Sequence, residues 1–433
     1  MEDIIAVYGL GYVGLPTALH FASKGYKVIG VDVNKSIIES LNKGKVHLKD
    51  LDLQYLLEEH KNNFEATTDG IDASKKANIH IICVPTPIKE TKIPDLSYVF
   101  SAAETIAKGL KKGDIVVLES TVYPTFSEEE LIPFLEQKSG LKINEDFFVA
   151  HVPERYNPGD KNHTIDKVIR VVGASSSEAA AKVADLYKKI VKDTHIVRDL
   201  RTAEAAKIIE NIQRDLNIAL MNELAMIADK LKIDIKEVID AAATKWNFIK
   251  FVPGIGVGGH CLPVDPYYLT YLAHKKDHHP KVILSGRAIN DNMPFYSFNL
   301  IIKALNNLEK SVKGSKIAIL GLSYKGNIGD FRNSPSTKLI ELLKNFGAEV
   351  KVHDPYHLDY NNTKIENIVE DVDVIVIATD HDYYKNLNLE ELKKYTKKEK
   401  VIFFDGRLIF DPDKVKEAGF IYIGVGREKY KER

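Results

Sequence analysis

The stretch Gly9-Leu-Gly-Tyr-Val-Gly14 leaves the beginning of this chain few ways to fold. It follows the apolar run Ile4 to Tyr8 and opens a helical pattern over Thr17 to Lys24. Glycines at this spacing let a backbone turn tightly and approach a pyrophosphate, whose charge then sits at a helix N-terminus. A second apolar run, Lys27 to Val31, ends at Asp32, eighteen residues beyond Gly14. An acid at that point accepts hydrogen bonds from an adenosine ribose and repels a 2′-phosphate, which favours NAD over NADP. The spacing therefore predicts a dinucleotide site at Gly9, Gly11, Tyr12, Val13, Gly14 and Asp32, with FAD as the other ligand such a turn can hold.

The pattern that begins there continues. Ile79 to Val84, Ile115 to Glu119 and Phe147 to His151 read as further buried strands, with helical stretches such as Tyr98 to Leu110 between them. Strand-helix alternation implies right-handed crossovers and a doubly wound parallel sheet. Val84-Pro-Thr-Pro87 and Ser120-Thr-Val122 end strands on the side where ligands bind such sheets, which puts Pro85, Thr86 and Thr121 beside the cofactor. Each threonine fits a helix N-cap equally well. From about Arg201 to Leu231 the chain lacks Pro and Gly and reads as one long helix, followed by helix to Ala243, a Gly-rich loop from Pro253 to Cys261 and helical segments to about Leu308. Alternation restarts near Lys316, with strands expected at Ile317 to Leu320, Glu349 to His353, Val372 to Ala378, Val401 to Phe404 and Phe420 to Ile423. The expected fold is α/β: two doubly wound Rossmann-like sheet domains, 1–198 and 309–433, joined by a helical central domain, 199–308, with one long helix.

A chain of 433 residues is long enough for two or three domains. The formal net charge of −1 gives no global field to recruit nucleic acid or an anionic membrane. No run of eighteen apolar residues and no leader pattern is present, and the two cysteines, Cys83 and Cys261, sit in dissimilar surroundings. These features point to a cytoplasmic protein without disulfides.

Gly254-Ile-Gly-Val-Gly-Gly-His-Cys261-Leu-Pro-Val-Asp265 carries the chemistry. Four glycines before a cysteine let the backbone wrap a ligand closely. A helix expected just after it lowers the thiol pKa, and thiolate is the nucleophilic form. Cys83, inside Ile81-Ile-Cys-Val84, reads instead as a buried structural thiol. Zinc is a poor reading because His260 and Cys261 are adjacent and no Cys/His partner pair has ligand spacing, so no metal is expected. On the long helix Glu204, Lys207, Asn211 and Asp215 share one face; such a face is as often simply solvated as functional.

Taken together, Gly-Leu-Gly-Tyr-Val-Gly-Leu-Pro at 9–16, Pro-Glu-Arg at 153–155, Ala-Glu-Ala-Ala-Lys-Ile-Ile-Glu-Asn at 203–211 and Gly-Gly-His-Cys at 258–261 resemble the UDP-glucose/UDP-N-acetylmannosamine dehydrogenase family. Gly321-Leu-Ser-Tyr-Lys-Gly326 and Asp330-Phe-Arg332 resemble its UDP-binding segment. Glu119-Ser-Thr-Val-Tyr-Pro124, Glu154-Arg-Tyr-Asn-Pro-Gly-Asp160, Gln213-Arg-Asp-Leu-Asn-Ile-Ala219 and Thr244-Lys-Trp-Asn-Phe248 look most like the members acting on UDP-N-acetylhexosamines. UDP-glucose enzymes usually carry a second glutamate four residues after the one matching Glu154; here Pro158 stands there.

The resemblance implies an NAD-dependent oxidation of C6 of a UDP-N-acetylhexosamine (UDP-GlcNAc, UDP-GalNAc or UDP-ManNAc) to the uronate, in two steps. Cys261 would capture the aldehyde as a thiohemiacetal, later a thioester. Lys207 and Asp265 would move the C6 hydroxyl proton, Lys207 and Asn211 would stabilise the oxyanions, and Glu154 and Thr121 would orient the hydrolytic water. Lys207, Asn211, Glu154, Gly258, Lys325 and Arg332 would contact substrate; without the resemblance, the last two cations read equally as surface charge. Lys245 falls where relatives often have an arginine reaching across a dimer, and a homodimer through the central helix is implied. The rival readings are a UDP-glucose 6-dehydrogenase, a single-step β-hydroxyacid dehydrogenase and a non-catalytic NAD-binding sensor.

Overall fold

The computed structural model describes residues 3–48, 53–155, 164–357 and 359–427. They form two compact units: 3–210 with 264–279, and 211–263 with 280–427.

The first unit holds an eight-stranded sheet: β1 Ile4–Tyr8, β2 Lys27–Val31, β3 Phe64–Thr67, β4 Ile79–Ile82, β5 Ile115–Leu118, β6 Phe148–His151, β7 Ile169–Ala174 and β8 Asp193–Ile196. Their spatial order is β3-β2-β1-β4-β5-β6-β7-β8. The first six strands are parallel, and the order reverses between β1 and β4, the switch point of a doubly wound sheet. Helices cover both faces, so strands such as Ile115–Leu118 are apolar throughout rather than alternating. The expected all-parallel sheet needs one correction. β7 runs antiparallel to β6 through Ala150–Ala174 and His151–Gly173, and β8 then extends it in parallel. β7 carries a buried charge, Arg170, near its start, and β8 has mostly exposed side chains, so neither shows the apolar run that marks the others.

The second unit holds a five-stranded parallel sheet: β9 Lys316–Leu320, β10 Glu349–His353, β11 Val374–Ile377, β12 Ile402–Asp405 and β13 Ile421–Gly424, in the order β10-β9-β11-β12-β13. Alternate side chains serve its two cores. Ile317, Ile319, Val374, Val376 and Phe404 face Met221, Ala225 and Ala228 of the long helix and Ile301 and Leu305 of the helix Lys281–Asn307. Ala318, Leu320, Ile375, Ile377 and Phe403 face Val369, Tyr384 and Val415. Each fully buried Val, Leu, Ile, Phe or Met among them contributes about 1.5–3 kcal/mol.

The long helix is Leu200–Leu231, beginning in the first unit and ending in the second. No helix among the described residues is long and apolar enough to cross a membrane.

Candidate active site

In the first unit, Gly9 ends β1 at φ 94°, and its N–H donates to the Val31 carbonyl at 2.8 Å. A Cβ on Gly14, the first residue of α1 (Gly14–Ser23), would lie 1.8 Å from the Gly9 carbonyl oxygen and 3.0 Å from Cys83 Cβ. Only glycine lets helix and strand meet this closely, with Cys83 as the floor. A Cβ on Gly11 would meet nothing within 4 Å, so that side of the turn is open. Tyr12 and Val13 are half-buried against the sheet core. Asp32 accepts the Leu10 N–H at 2.9 Å through one carboxylate oxygen and the Asn34 N–H at 2.9 Å through the other. It stays half-exposed, with lone pairs left for a ribose. Backbone cradle, open space and exposed acid fit an adenine dinucleotide.

The second sheet repeats this turn. The Gly321 N–H donates to His353 O at 2.8 Å, and Asp354 accepts from Leu322 N at 2.8 Å and Tyr356 N at 2.9 Å. There the acid is fully buried and also accepts from Ser323 Oγ at 2.9 Å and His381 Nε2 at 3.1 Å. Burial works against its charge, yet His381 and the backbone donors hold the Asp354 carboxyl well below the usual range. The same hydrogen bonds that could hold a nucleotide at Asp32 are used internally at Asp354.

Beyond the strand ends of the first sheet, Pro85 is exposed, Thr86 is buried with its carbonyl accepting from Tyr268 Oη at 2.8 Å, and Thr121 is half-buried. Glu154 follows β6. One oxygen accepts from the Arg155 N–H at 2.7 Å; the other is ion-paired with Arg170. The Lys207 ammonium donates to the Glu154 carbonyl at 2.6 Å. His151 is fully buried, and burial first, then the Lys207 charge, lower its pKa to about 3. Glu204, one turn before Lys207, accepts from Thr125 N at 2.7 Å and Ser127 N at 2.9 Å, and burial raises its pKa to about 7. Asp265 is buried at the start of the helix Asp265–Lys275. The residues 156–163, with Pro158, lie outside the described residues.

The second unit contains the cysteine loop. The Gly254 N–H donates to Asn222 Oδ1 at 3.0 Å, Asn222 donates to Asn290 at 2.8 Å, and Asn290 donates to Asp215 at 2.8 Å, where Arg287 also binds at 2.6 Å. This buried chain ties the loop to the long helix, so the Asp215 end of that helical face is sealed rather than solvated. At the other end of the loop, Gly259 N donates to Arg332 O at 3.0 Å and Asn333 donates to Gly259 O at 3.0 Å. A Cβ on Gly258 would lie 2.6 Å from Tyr324 Cβ, and one on Gly259 would lie 2.8 Å from the Tyr324 ring. The loop thus lies flat on the segment 321–335. Tyr324, which the sequence reading passed over, has its pKa pushed up to about 12 by burial, with Asp330 and Cys261 adding to it. Its position inside Gly321-Leu-Ser-Tyr-Lys-Gly326 was the only signal available.

Neither cysteine is in a disulfide: Cys261 is exposed, while Cys83 is buried, its thiol pushed well up by burial. Asn211 and Lys325 are half-buried, as is Gly258. The Arg332 guanidinium is forked on Asp330, with contacts of 3.0, 3.1 and 2.6 Å. Lys245 is exposed beside Trp246, itself 92% exposed. Among the described residues, no cluster of three or more His, Cys, Asp or Glu could hold a metal ion.

Comparison with known proteins gives three successive matches to one family: the NAD binding domain of the UDP-glucose/GDP-mannose dehydrogenase family over residues 3–191, its central domain over 201–292 and its UDP binding domain over 318–412. The chain is 42% identical over 424 residues to a UDP-N-acetyl-D-glucosamine 6-dehydrogenase of Pseudomonas aeruginosa, covering 96% of this chain and 99% of that one. It is 40% identical over 424 residues to a UDP-N-acetyl-D-mannosamine dehydrogenase of Pyrococcus horikoshii, covering 98% and 99%. The solved structure of the UDP-D-ManNAc dehydrogenase from Pyrococcus horikoshii superposes with a TM-score of 0.92 at 38% identity, covering 99% of this chain and 100% of that one.

Proposed function

The chain belongs to the UDP-glucose/GDP-mannose dehydrogenase family, and from that premise we propose that it oxidises C6 of a UDP-N-acetylhexosamine to the carboxylate through Cys261. It is an NAD-dependent UDP-sugar dehydrogenase. The observation that carries the fuller reading is the exposed Cys261 thiol at the end of a glycine loop seated on the segment 321–335.

Gly9, Gly11 and Gly14 with Tyr12 and Val13 hold the NAD pyrophosphate, Asp32 holds its ribose, and Pro85, Thr86 and Thr121 line its far end. NAD, when bound, supplies the hydride acceptor for both oxidations. Asp265 and Lys207 take the C6 hydroxyl proton through water. The Cys261 thiolate then adds to the C6 aldehyde: a C–S bond forms and the carbonyl pair moves onto oxygen. Lys207 supplies charge and Asn211 an amide donor to that oxyanion. The thiohemiacetal still carries a hydrogen on C6, so it can be oxidised to a thioester. Water oriented by Glu154 and Thr121 adds to the thioester, the C–S bond breaks, and the thiolate returns with a carboxylate as product. Lys325 and Arg332 bind the diphosphate, Gly258 offers backbone to the sugar, and Lys245 reaches toward a neighbouring copy.

The reading carries three further parts. The chain divides functionally into a cofactor domain, 1–198, a central domain, 199–308, and a UDP-sugar domain, 309–433. Two cysteines that form no disulfide suit a cytoplasmic setting. Leu220, Leu224, Ile227 and Leu231 make an exposed apolar stripe at spacings of four, three and four on the long helix, which supports a homodimer through that helix. Light scattering should give twice the 48.6 kDa chain mass; a monomer at micromolar concentration would remove the dimer.

The substrate test is NADH yield from a panel of UDP sugars. We expect two NADH per molecule of UDP-GlcNAc, UDP-GalNAc or UDP-ManNAc, and none from UDP-glucose. Turnover of UDP-glucose alone would keep the cysteine chemistry and overturn the substrate. One NADH per substrate would instead favour a single-step dehydrogenase.

A further inference from the structure

We propose that Arg170 is a positioning residue that aims the Glu154 carboxylate, and that Glu119 sets how much of the Arg170 charge Glu154 receives. The proposal rests on the reading of Glu154 as the group that orients the hydrolytic water.

Arg170 stands on β7, the strand that departs from the parallel sheet, and is fully buried. Its guanidinium is surrounded. One nitrogen pairs with Glu154, and the other donates to the Val152 carbonyl at 3.3 Å and lies 3.6 Å from Glu119. The ring of Tyr187 lies beside it, 5.9 Å from the guanidinium carbon to the ring centroid. Glu119, just after β5, is also fully enclosed: it accepts from Tyr187 Oη at 2.5 Å, Thr17 Oγ1 at 3.3 Å and Cys83 Sγ at 3.5 Å.

One guanidinium therefore serves two carboxylates in a water-poor interior. Two like charges there repel each other, so each makes the other harder to ionise. Burial pushes the Glu119 carboxyl up, so it is the weaker competitor for Arg170, and whatever negative charge it carries draws Arg170 from Glu154. With one oxygen on Arg170 and the other on the Arg155 N–H, the Glu154 carboxylate has its direction set by the fold rather than by solvent. A carboxylate held this way stays an acceptor for a water hydrogen, as the hydrolysis requires. Among the described residues, the other titratable or charged groups around this pair are Cys83 after β4, His151 ending β6, Arg155, Tyr187 in the helix Ser177–Tyr187, and Lys207 and Glu210 on the long helix.

The test is rapid mixing of the enzyme with NAD and the UDP sugar it turns over fastest, following NADH per subunit, together with the pH profile of kcat. If hydrolysis is impaired, NADH appears in a burst of up to two per subunit and then slows as the thioester accumulates. Arg170→Gln should show that burst, with steady turnover lowered by roughly tenfold or more and the acid limb moved up by about one pH unit. Arg170→Lys should restore part of the rate. Glu119→Gln keeps an acceptor for Tyr187 and removes the competing carboxylate, so its acid limb should move down; this variant carries the test if Arg170→Gln does not fold. A burst in Glu154→Gln with unchanged profiles in Arg170→Gln or Glu119→Gln would overturn the positioning role. No burst in Glu154→Gln would instead show that Glu154 does not serve hydrolysis, and the role assigned to Arg170 would fall with it.

Discussion

Cys261→Ala is expected to abolish uronate formation, lowering steady NADH production by roughly three orders of magnitude or more. The side chain is exposed, so its loss leaves no cavity, and the melting temperature should not move beyond experimental scatter. What is lost is chemical. Without the thiolate, an aldehyde formed in the first oxidation has nothing to hold it and no C–S bond through which the second can proceed. The variant should bind UDP sugar and NAD normally, and any turnover that remains should stop at one NADH per substrate. Cys83→Ala supplies the contrast. It removes a buried thiol from beneath the glycine turn and should cost stability while leaving two NADH per substrate. A Cys261→Ala protein that still yields two equivalents would exclude covalent catalysis at this residue.

The second large effect is expected at the cofactor turn, where two neighbouring glycines should fail for different reasons. In Gly14→Ala the added methyl would overlap the Gly9 carbonyl at 1.8 Å, a backbone atom that no rotamer change can move. Strand and helix must separate, at a cost of about 3 kcal/mol. For a unit of this size that lowers the melting temperature by roughly 6–12 °C. Gly11→Ala meets nothing within 4 Å and should melt like the parent. Its methyl instead occupies the space proposed for the pyrophosphate, so KM for NAD should rise by roughly tenfold or more. Thermal melts with and without NAD separate the two: Gly14→Ala is unstable in both, whereas Gly11→Ala is stable but gains little from NAD. Equal NAD affinity in Gly11→Ala and parent would place the cofactor elsewhere.

Much of this molecule could be read before any coordinates. Most of the parallel strands between Ile4–Tyr8 and Ile421–Gly424 announce themselves because both faces are covered and their side chains are mainly apolar. β3 escaped because it is short and exposes Glu65, and β7 because the charged Arg170 stands second in an otherwise apolar strand. The helical face of Glu204, Lys207, Asn211 and Asp215 could be seen as a face, but not as a buried one. Burial raises the Glu204 pKa to about 7, and two N–H groups from the segment after β5, some eighty residues earlier in the chain, hold its carboxyl. Arg332 looked like a cation free for a diphosphate, and the fold shows it forked on Asp330, two residues away. A diphosphate bound at Arg332, as proposed, would share or replace that carboxylate, which local spacing alone does not reveal.

The sequence by itself determined the features whose physics is local: the glycine turn with its acid, the alternation that makes two sheets, and a cysteine preceded by flexible backbone. Each is set by φ/ψ freedom or side-chain period within a few tens of residues. Only the tertiary structure decided which charges are compensated and which remain available. Asp32 and Asp354 end equivalent strands and accept equivalent backbone bonds, yet Ser323 and His381 close around the second alone. Likewise, Glu119, Glu154 and Arg170 come from three strand ends and share one buried charge. An ionised group in a protein interior survives only with a partner, and partners are chosen by the fold across distances in sequence that no local pattern records.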